Sequence, residues 1–391
     1  MRETILKSID AMEEKLFSMS CDIFDHPEWD GNEIYAAELL TKELEDLGFT
    51  VERGISGLPT SFRAVWKHGE GGPNIGLLGE YDALRNQGHA CGHHMQTPAA
   101  IGAAAALKQA LEAADTPVTL TVYGTPAEET FGGKINMADN GCFRELDVAI
   151  GTHATSMDAF VGGSSMALQS YIITFHGQSS HASGAPWKGR SAGDAMFLSF
   201  HGIECLREHV MDGTRMHYTV REAMGPSNVV PAKAVAGFTV RSNDNDYLQT
   251  LIPRVEKVFE GACMMTETTL EYKKHPQFAA RIPNEPLAQA AKRVFDSLNI
   301  KTCDQLIRPS GGSTDFGNVS VMCPSVMIYL PFYDAPAHSD DWMKYGKSDY
   351  ARRCLMGSTR ATALLVLELL ENPDCIREAR SDFDRRTGAG K

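Results

Sequence analysis

Three histidines and a thiol fall within six consecutive positions, His89-Ala90-Cys91-Gly92-His93-His94, directly after a segment with the character of a strand end. Imidazole and thiolate are borderline-soft ligands suited to zinc, manganese or cobalt. Alternate side chains of extended backbone point the same way, which puts Cys91 and His93 on one side. One such cluster fits either a metal site or a hydrogen-bonded surface turn. Three further segments favour the metal. Thr125-Pro126-Ala127-Glu128-Glu129 follows the apolar run 118–123, Ala149-Ile150-Gly151-Thr152-His153 is a short apolar run ending in His, and Ala335-Pro336-Ala337-His338-Ser339-Asp340-Asp341 follows the apolar run 325–330. Each segment alone has an ordinary reading as a solvated turn or a structural His. Four strand ends that all deliver ligand-type residues point to one site, at the sheet edge where α/β folds build them.

The elements that would hold these residues follow from periodicity. Ile5, Ile9, Met12, Leu16 and Met19 recur at helical spacing, and a second helix is expected over residues 31–47. Strands are expected over 62–66 and 75–79, and an Ala-rich helix over 98–114, with Pro98 suited to its first turn. Alternating helices and apolar strands imply an α/β layer fold. The character changes near Met166. Strands over 167–176 and 232–241 and helices over 191–210 and 248–263 read as a small α+β unit, with 270–272 as a possible further strand. The α/β character returns after Pro276. The expected layout is a domain of residues 1–166 and 277–391 interrupted by an inserted domain of residues 167–276. The polar tail from Arg377 reads as a frayed terminus.

Composition narrows the function. With 391 residues the chain is long enough for two domains. A formal net charge of −13 argues against nucleic acid and anionic membranes as partners. No apolar run approaches the length of roughly 18 residues that spans a bilayer. The opening Met1-Arg2-Glu3-Thr4 leads into an amphipathic segment without a signal peptide's apolar stretch. Nine scattered cysteines suit a reducing cytosol, so a cytoplasmic location is expected. Six of them, at positions 142, 205, 263, 303, 323 and 354, read as small core hydrophobes.

Further motifs run in order along the chain. They are His26-Pro27-Glu28 with Glu33, Gly79-Glu80-Tyr81-Asp82-Ala83-Leu84, Gln178-Ser179-Ser180-His181-Ala182, Asn228-Val229-Val230-Pro231 and Gly312-Ser313-Thr314-Asp315-Phe316-Gly317. Together with the His-Ala-Cys-Gly-His cluster, they make the chain resemble the M20 metallopeptidases over nearly its whole length. Within them it resembles the amidohydrolase branch that holds aminobenzoyl-glutamate hydrolases, M20-domain dipeptidases and related N-acyl amino acid hydrolases. The resemblance implies an aminopeptidase-like catalytic domain for two divalent cations, zinc or manganese, with an inserted lid that forms a homodimer. It implies Cys91, His93, Glu129, His153 and His338 as metal ligands, with Cys91 bridging, and Glu128 as general base and later proton donor. It gives His181 the role of stabilising the oxyanion, often in the partner subunit's site, and gives Asn228 a hydrogen bond to substrate.

Other residues are read less sharply. Arg241, ending a strand, suits bidentate pairing with a substrate carboxylate, although exposed arginines at strand ends are common. Asp82 fits an orienting carboxylate behind a ligand, or a turn residue. His89 is expected to stabilise the cluster's turn. Glu80 stands where other branches of the superfamily carry their first His ligand, and this branch does not use that position. One residue departs from the pattern. The family usually has Asp or Asn after the motif's second His, and here His94 stands there, either propping the site by a hydrogen bond or competing as a ligand. The expected reaction is hydrolysis of the amide bond of a small N-acyl amino acid or dipeptide-like substrate. Alternatives are another acyl or carbamoyl group on the same scaffold, or a non-catalytic metal- or metabolite-binding protein.

Overall fold

The computed structural model describes residues 1–223 and 225–388. The chain opens with helices α1 (Arg2–Asp25) and α2 (Ile34–Asp46), then strands β1 (Thr50–Arg53), β2 (Phe62–His68) and β3 (Asn74–Gly79). Helix α3 (Gln96–Ala113), strand β4 (Val118–Gly124), helix α4 (Gly133–Asp139) and strands β5 (Val148–Thr155) and β6 (Ala159–Gly162) follow. A second set comprises β7 (Ala167–His176), α5 (Ala192–Arg207), β8 (Arg215–Ala223), β9 (Lys233–Ser242), α6 (Asn245–Thr266) and β10 (Thr269–Lys274). The chain returns through α7 (Glu285–Ser297), β11 (Thr302–Arg308), α8 (Phe316–Ser320), β12 (Ser325–Pro331), α9 (Asp340–Tyr345), α10 (Asp349–Glu371) and α11 (Pro373–Thr387).

These elements form two compact units. The first holds residues up to Ser164, Arg281–Ser310 and the chain from Thr314 onward; the second holds Ser165–Ala280 and Gly311–Ser313. The first unit is an α/β layer fold. Its eight-stranded sheet runs β1-β2-β4-β3-β5-β12-β6-β11. The central neighbours β4, β3, β5 and β12 are parallel, with Leu77 of β3 opposite both Val122 and Ile150. Their side chains are buried on both faces, as parallel strands covered by helices on each side must be. Helix α3 supplies much of one cover. Its alanines are buried nearly all round, and their small size lets α1 and α10 close in on it.

The second unit is an antiparallel sheet, β10-β7-β9-β8, with α5 and α6 packed on it. Burial alternates along β7 and β9, the pattern of a sheet with one covered face. Periodicity in the sequence does not single out β8. Met216, Tyr218 and Val220 alternate along it, but only Met216 is buried.

Two expectations require correction. The tail from Arg377 is helical rather than frayed through Thr387. Cys375, Ala379 and Phe383 recur every fourth residue and are buried, and Asp382 accepts bonds from Arg386 and from the Glu285 N–H. The last three residues of that tail lie outside the described residues. Of the six cysteines expected in the core, Cys263, Cys323 and Cys354 are buried, Cys142 and Cys303 are half-buried, and Cys205 is exposed on α5. Among the described residues, no helix is long and apolar enough to cross a membrane.

Gly79, the last residue of β3, lies against the first turn of α3. A Cβ there would overlap Thr97 Oγ1 and come within 2.6 Å of the Thr97 Cα. Gly79→Ala must therefore push α3 off the strand that carries Asp82 and the His/Cys cluster. The expected loss is about 1–3 kcal/mol, the usual cost of overpacking, read as a lower denaturant midpoint with unchanged slope.

Candidate metal and active site

Residues from four neighbouring strand ends meet at one edge of the first unit's sheet. Asp82, Cys91 and His93 follow β3, Glu128 and Glu129 follow β4, His153 lies near the end of β5, and His338 follows β12. Four strands adjacent in the sheet bring together residues nearly 250 positions apart, which is why the carboxyl edge of a parallel sheet is a natural assembly point.

The cluster is held from behind. Asp82 is buried and uses both carboxylate oxygens: Oδ1 accepts from His93 Nδ1 at 3.0 Å, and Oδ2 accepts from the Glu129 N–H at 3.0 Å. His153 Nδ1 donates to the Ala154 carbonyl at 2.7 Å. These bonds fix both rings in the tautomer that leaves Nε2 free as a lone-pair donor, the usual arrangement behind a metal-binding His. His153 Nε2 lies 3.6 Å from Cys91 Sγ, and His338 Nε2 lies 3.3 Å from Glu129 Oε1.

Sets of three donor atoms result, among them Cys91 with His93 and His153, Cys91 with Glu129 and His338, and His93 with Glu128 and Glu129. Cys91 belongs to the first two. His93 Nε2 and Glu129 Oε1 are buried without a hydrogen-bond partner. Glu80 Oε2 is only 3.1 Å from His93 Nε2, but the pair makes no hydrogen bond. A buried polar atom without a partner is costly, and two of them facing a common centre fit a cation. The donor set of imidazole, thiolate and carboxylate suits zinc or manganese.

The electrostatics separate the two adjacent glutamates. Burial would raise Glu129, but His338, His93 and Cys91 outweigh it and hold its carboxyl at about 2. Burial raises Glu128, and Glu80, Asp315 and Glu129 raise it further, well above the usual carboxylate range. The same pair of residue types thus yields one carboxyl that ionises readily and one that holds its proton more tightly. Burial also pushes the Cys91 thiol up. A coordinating cation reverses that by deprotonating the thiol outright.

Of the flanking histidines, neither joins a donor set among the described residues. His89 Nε2 donates to the Ile23 carbonyl at 3.1 Å and His94 Nε2 to the Gly346 carbonyl at 2.9 Å. Burial holds His94 neutral, with its pKa lowered to about 4. His94 thus ties the loop that carries Cys91 and His93 to Gly346.

His181, Asn228 and Arg241 belong to the second unit. The Ala182 N–H donates to the Asn228 carbonyl at 2.9 Å, so the His181 and Asn228 segments run side by side, and both residues are exposed. His181 Nδ1 accepts from the Gly184 N–H at 3.0 Å and the Ser183 N–H at 3.3 Å. With Nδ1 accepting these bonds, Nε2 is the ring nitrogen left to carry a proton and donate. Arg241 is half-buried, and its Nη1 donates to Ser313 Oγ at 2.8 Å. The sequence reading overlooked Lys134, buried in the first turn of α4, whose signal was a lone charge within the apolar stretch 133–138.

A parallel sheet whose strand ends gather imidazole, thiolate and carboxylate donors, with a further half-buried glutamate beside them, is the arrangement of a metal-dependent hydrolase. The comparisons agree. Residues 73–353 match the model of Peptidase family M20/M25/M40, and the chain belongs to that family. It is 32% identical to the Xaa-Arg dipeptidase of Mus musculus over 96% of this chain and 90% of that protein. It is 35% identical to a p-aminobenzoyl-glutamate hydrolase polypeptide of Escherichia coli over 72% of this chain and 62% of that polypeptide. Its fold matches a dinuclear metal-binding M20 peptidase of Bacillus subtilis with a TM-score of 0.67 and 20% identity, over 91% of this chain and 99% of the other. The protein is an enzyme, a hydrolase of C–N amide bonds.

The double use of the Asp82 carboxylate predicts a strong effect on metal. Asp82→Asn should weaken divalent-cation binding by about 10–100-fold, the scale for losing a group that orients ligands. Competition against a chromogenic chelator measures it. Unchanged affinity would remove Asp82 from the site's support.

Proposed function

We propose that this hydrolase cleaves a small N-acyl amino acid or dipeptide-like substrate with a free carboxylate, of the dipeptide or aminobenzoyl-glutamate type. The observation that carries this reading is the pair of three-donor sets joined at Cys91, with Glu128 beside them. Cys91, His93, Glu129, His153 and His338 would hold two divalent cations, zinc or manganese, with Cys91 as the shared donor. When bound, such cations lower the pKa of water and polarise a carbonyl. Glu128 accepts the proton of the attacking water and returns it to the departing amine nitrogen, so the C–N bond breaks with no proton left over. The tautomer of His181 presents Nε2–H as an oxyanion donor. Asn228 and Arg241 recognise the substrate's polar end, Arg241 by pairing with its carboxylate.

The second unit is read as a lid that also pairs two chains. Supporting this, β8 is a sheet edge with Tyr218 and Val220 exposed, and α5 exposes Phe197 and Leu198. Bare edge strands and clustered apolar side chains invite a partner. Nine cysteines without a disulfide suit the cytoplasm.

Two experiments test the reading. A panel of N-acyl amino acids and dipeptides, screened with zinc and with manganese, should reveal a substrate. Glu128→Gln should keep its metal by elemental analysis and lower turnover by about 10²–10⁴-fold. Loss of metal along with activity would make Glu128 a ligand instead.

His181→Ala should fold and bind metal yet lose about 10²–10³-fold in turnover, the effect of removing one oxyanion donor. If His181 serves the partner's site, mixing Glu128→Gln with His181→Ala subunits should restore activity, because each heterodimer holds one intact site. Inactive heterodimers would exclude action across the dimer.

A further inference from the structure

Next to the donor sets lies a buried polar network that the hydrolytic reading does not use. Lys134 is 1% exposed. Its Nζ donates to Glu80 Oε1 at 2.6 Å and to Asp315 Oδ1 at 2.7 Å, and its backbone N–H donates to Asp315 Oδ2 at 3.0 Å. Glu80 Oε2 accepts from Gln96 Nε2 at 2.7 Å, and the Glu80 N–H donates back to Gln96 Oε1 at 3.3 Å. Every member is buried. Carboxylate oxygens of Glu80, Asp315 and Glu128 all lie within 4.8 Å of one another.

Three carboxylates packed this closely repel one another, and each one's ionisation is disfavoured by its neighbours. Lys134 is the ammonium that meets them. Its position is otherwise unfavourable, because the first turn of a helix carries the positive end of the helix dipole. The surrounding backbone admits no slack. At Gly133 a Cβ would overlap the Pro126 carbonyl, so the start of α4 is pressed against the loop that carries Glu128.

We propose that Lys134 is a positioning residue of the hydrolytic site: its ammonium, bridging Glu80 and Asp315, supplies the fixed charge that lets Glu128 stand beside them in the orientation that catalysis needs. The inference rests on Glu128 being the base. Lys134 bonds Glu80 and Asp315 rather than Glu128, and it acts through charge and through the seat of these two carboxylates.

Two carboxylates and one ammonium give the trio one net negative charge. Lys134→Met raises that to two, and Lys134→Met with Asp315→Asn returns it to one. In Lys134→Met the metal content and KM should stay near wild type while kcat falls by about 10²-fold, the scale for a displaced catalytic group. The double variant should recover about tenfold of that loss, although it contains one more mutation. Recovery separates a charge role from a merely structural one, which a second buried change would worsen.

A wild-type kcat in Lys134→Met, or a double variant no better than the single, would overturn the proposal. Should Lys134→Met fail to fold, Asp315→Asn alone decides. It keeps the side chain's size and removes one carboxylate from Lys134, and it should lower kcat by about tenfold at constant metal content and KM. Unchanged kcat there overturns the proposal. Glu128→Gln assayed in parallel keeps the two ideas apart. If it retains full activity, the assignment of the base fails, whatever Lys134 does.

Discussion

One buried carboxylate organises the site. Asp82 grips the His93 ring with one oxygen and the Glu129 backbone with the other, so the loop after β3 and the loop after β4 cannot move independently. Buried carboxylates are expensive unless their oxygens are satisfied, and here both are satisfied by groups next to donor atoms. The desolvation cost of Asp82 thus becomes rigidity at the place where cation–ligand distances matter most. The short parallel register of β4, β3, β5 and β12 then brings His153 and His338 to the same place.

Two of the left-handed non-glycine residues lie beside this support. Ala127 and His338 both adopt left-handed backbone, with φ of 59° and 63°, a region that side-chain-bearing residues avoid. Ala127 precedes Glu128 and Glu129, and the turn there is closed by the Gly132 N–H on the Ala127 carbonyl at 2.9 Å. His338 is held by its own N–H on the Ala90 carbonyl at 2.9 Å, which ties it to the residue before Cys91. Strain of this kind costs about 1–3 kcal/mol per residue and persists only where the surroundings over-determine the backbone.

Much of this was legible in the sequence, for a physical reason. Ligand-type residues lie within or beyond the carboxyl ends of apolar strands, so Cys91, His93, Glu129, His153 and His338 each carry a local signature, and their number supplies the inference. The layer fold was legible because central parallel strands are apolar on both faces. What stayed hidden has no local signature. Lys134 and Gln96 matter only through Glu80 and Asp315, which reach them from elsewhere in the chain. Glu80 read as an unused relic of another branch, yet it is fully engaged with Lys134 and Gln96. Strand β8 escaped because one buried residue on an edge strand leaves little pattern. Helix α11 escaped because its polar composition masked a narrow apolar stripe at every fourth residue.

The order of the sheet has a consequence for how the protein is made. Strand β12 lies between β5 and β6, although more than 160 residues separate it from β6 in the chain. A chain emerging from the ribosome amino end first holds β5 and β6 long before the strand that separates them. Until β12 emerges, β5 has an open edge, and His338 does not yet exist to complete the second donor set. The nascent first unit therefore waits with an exposed apolar strand while the whole second unit is synthesised. That interval, rather than the finished fold, is when chaperone capture would bear on this chain.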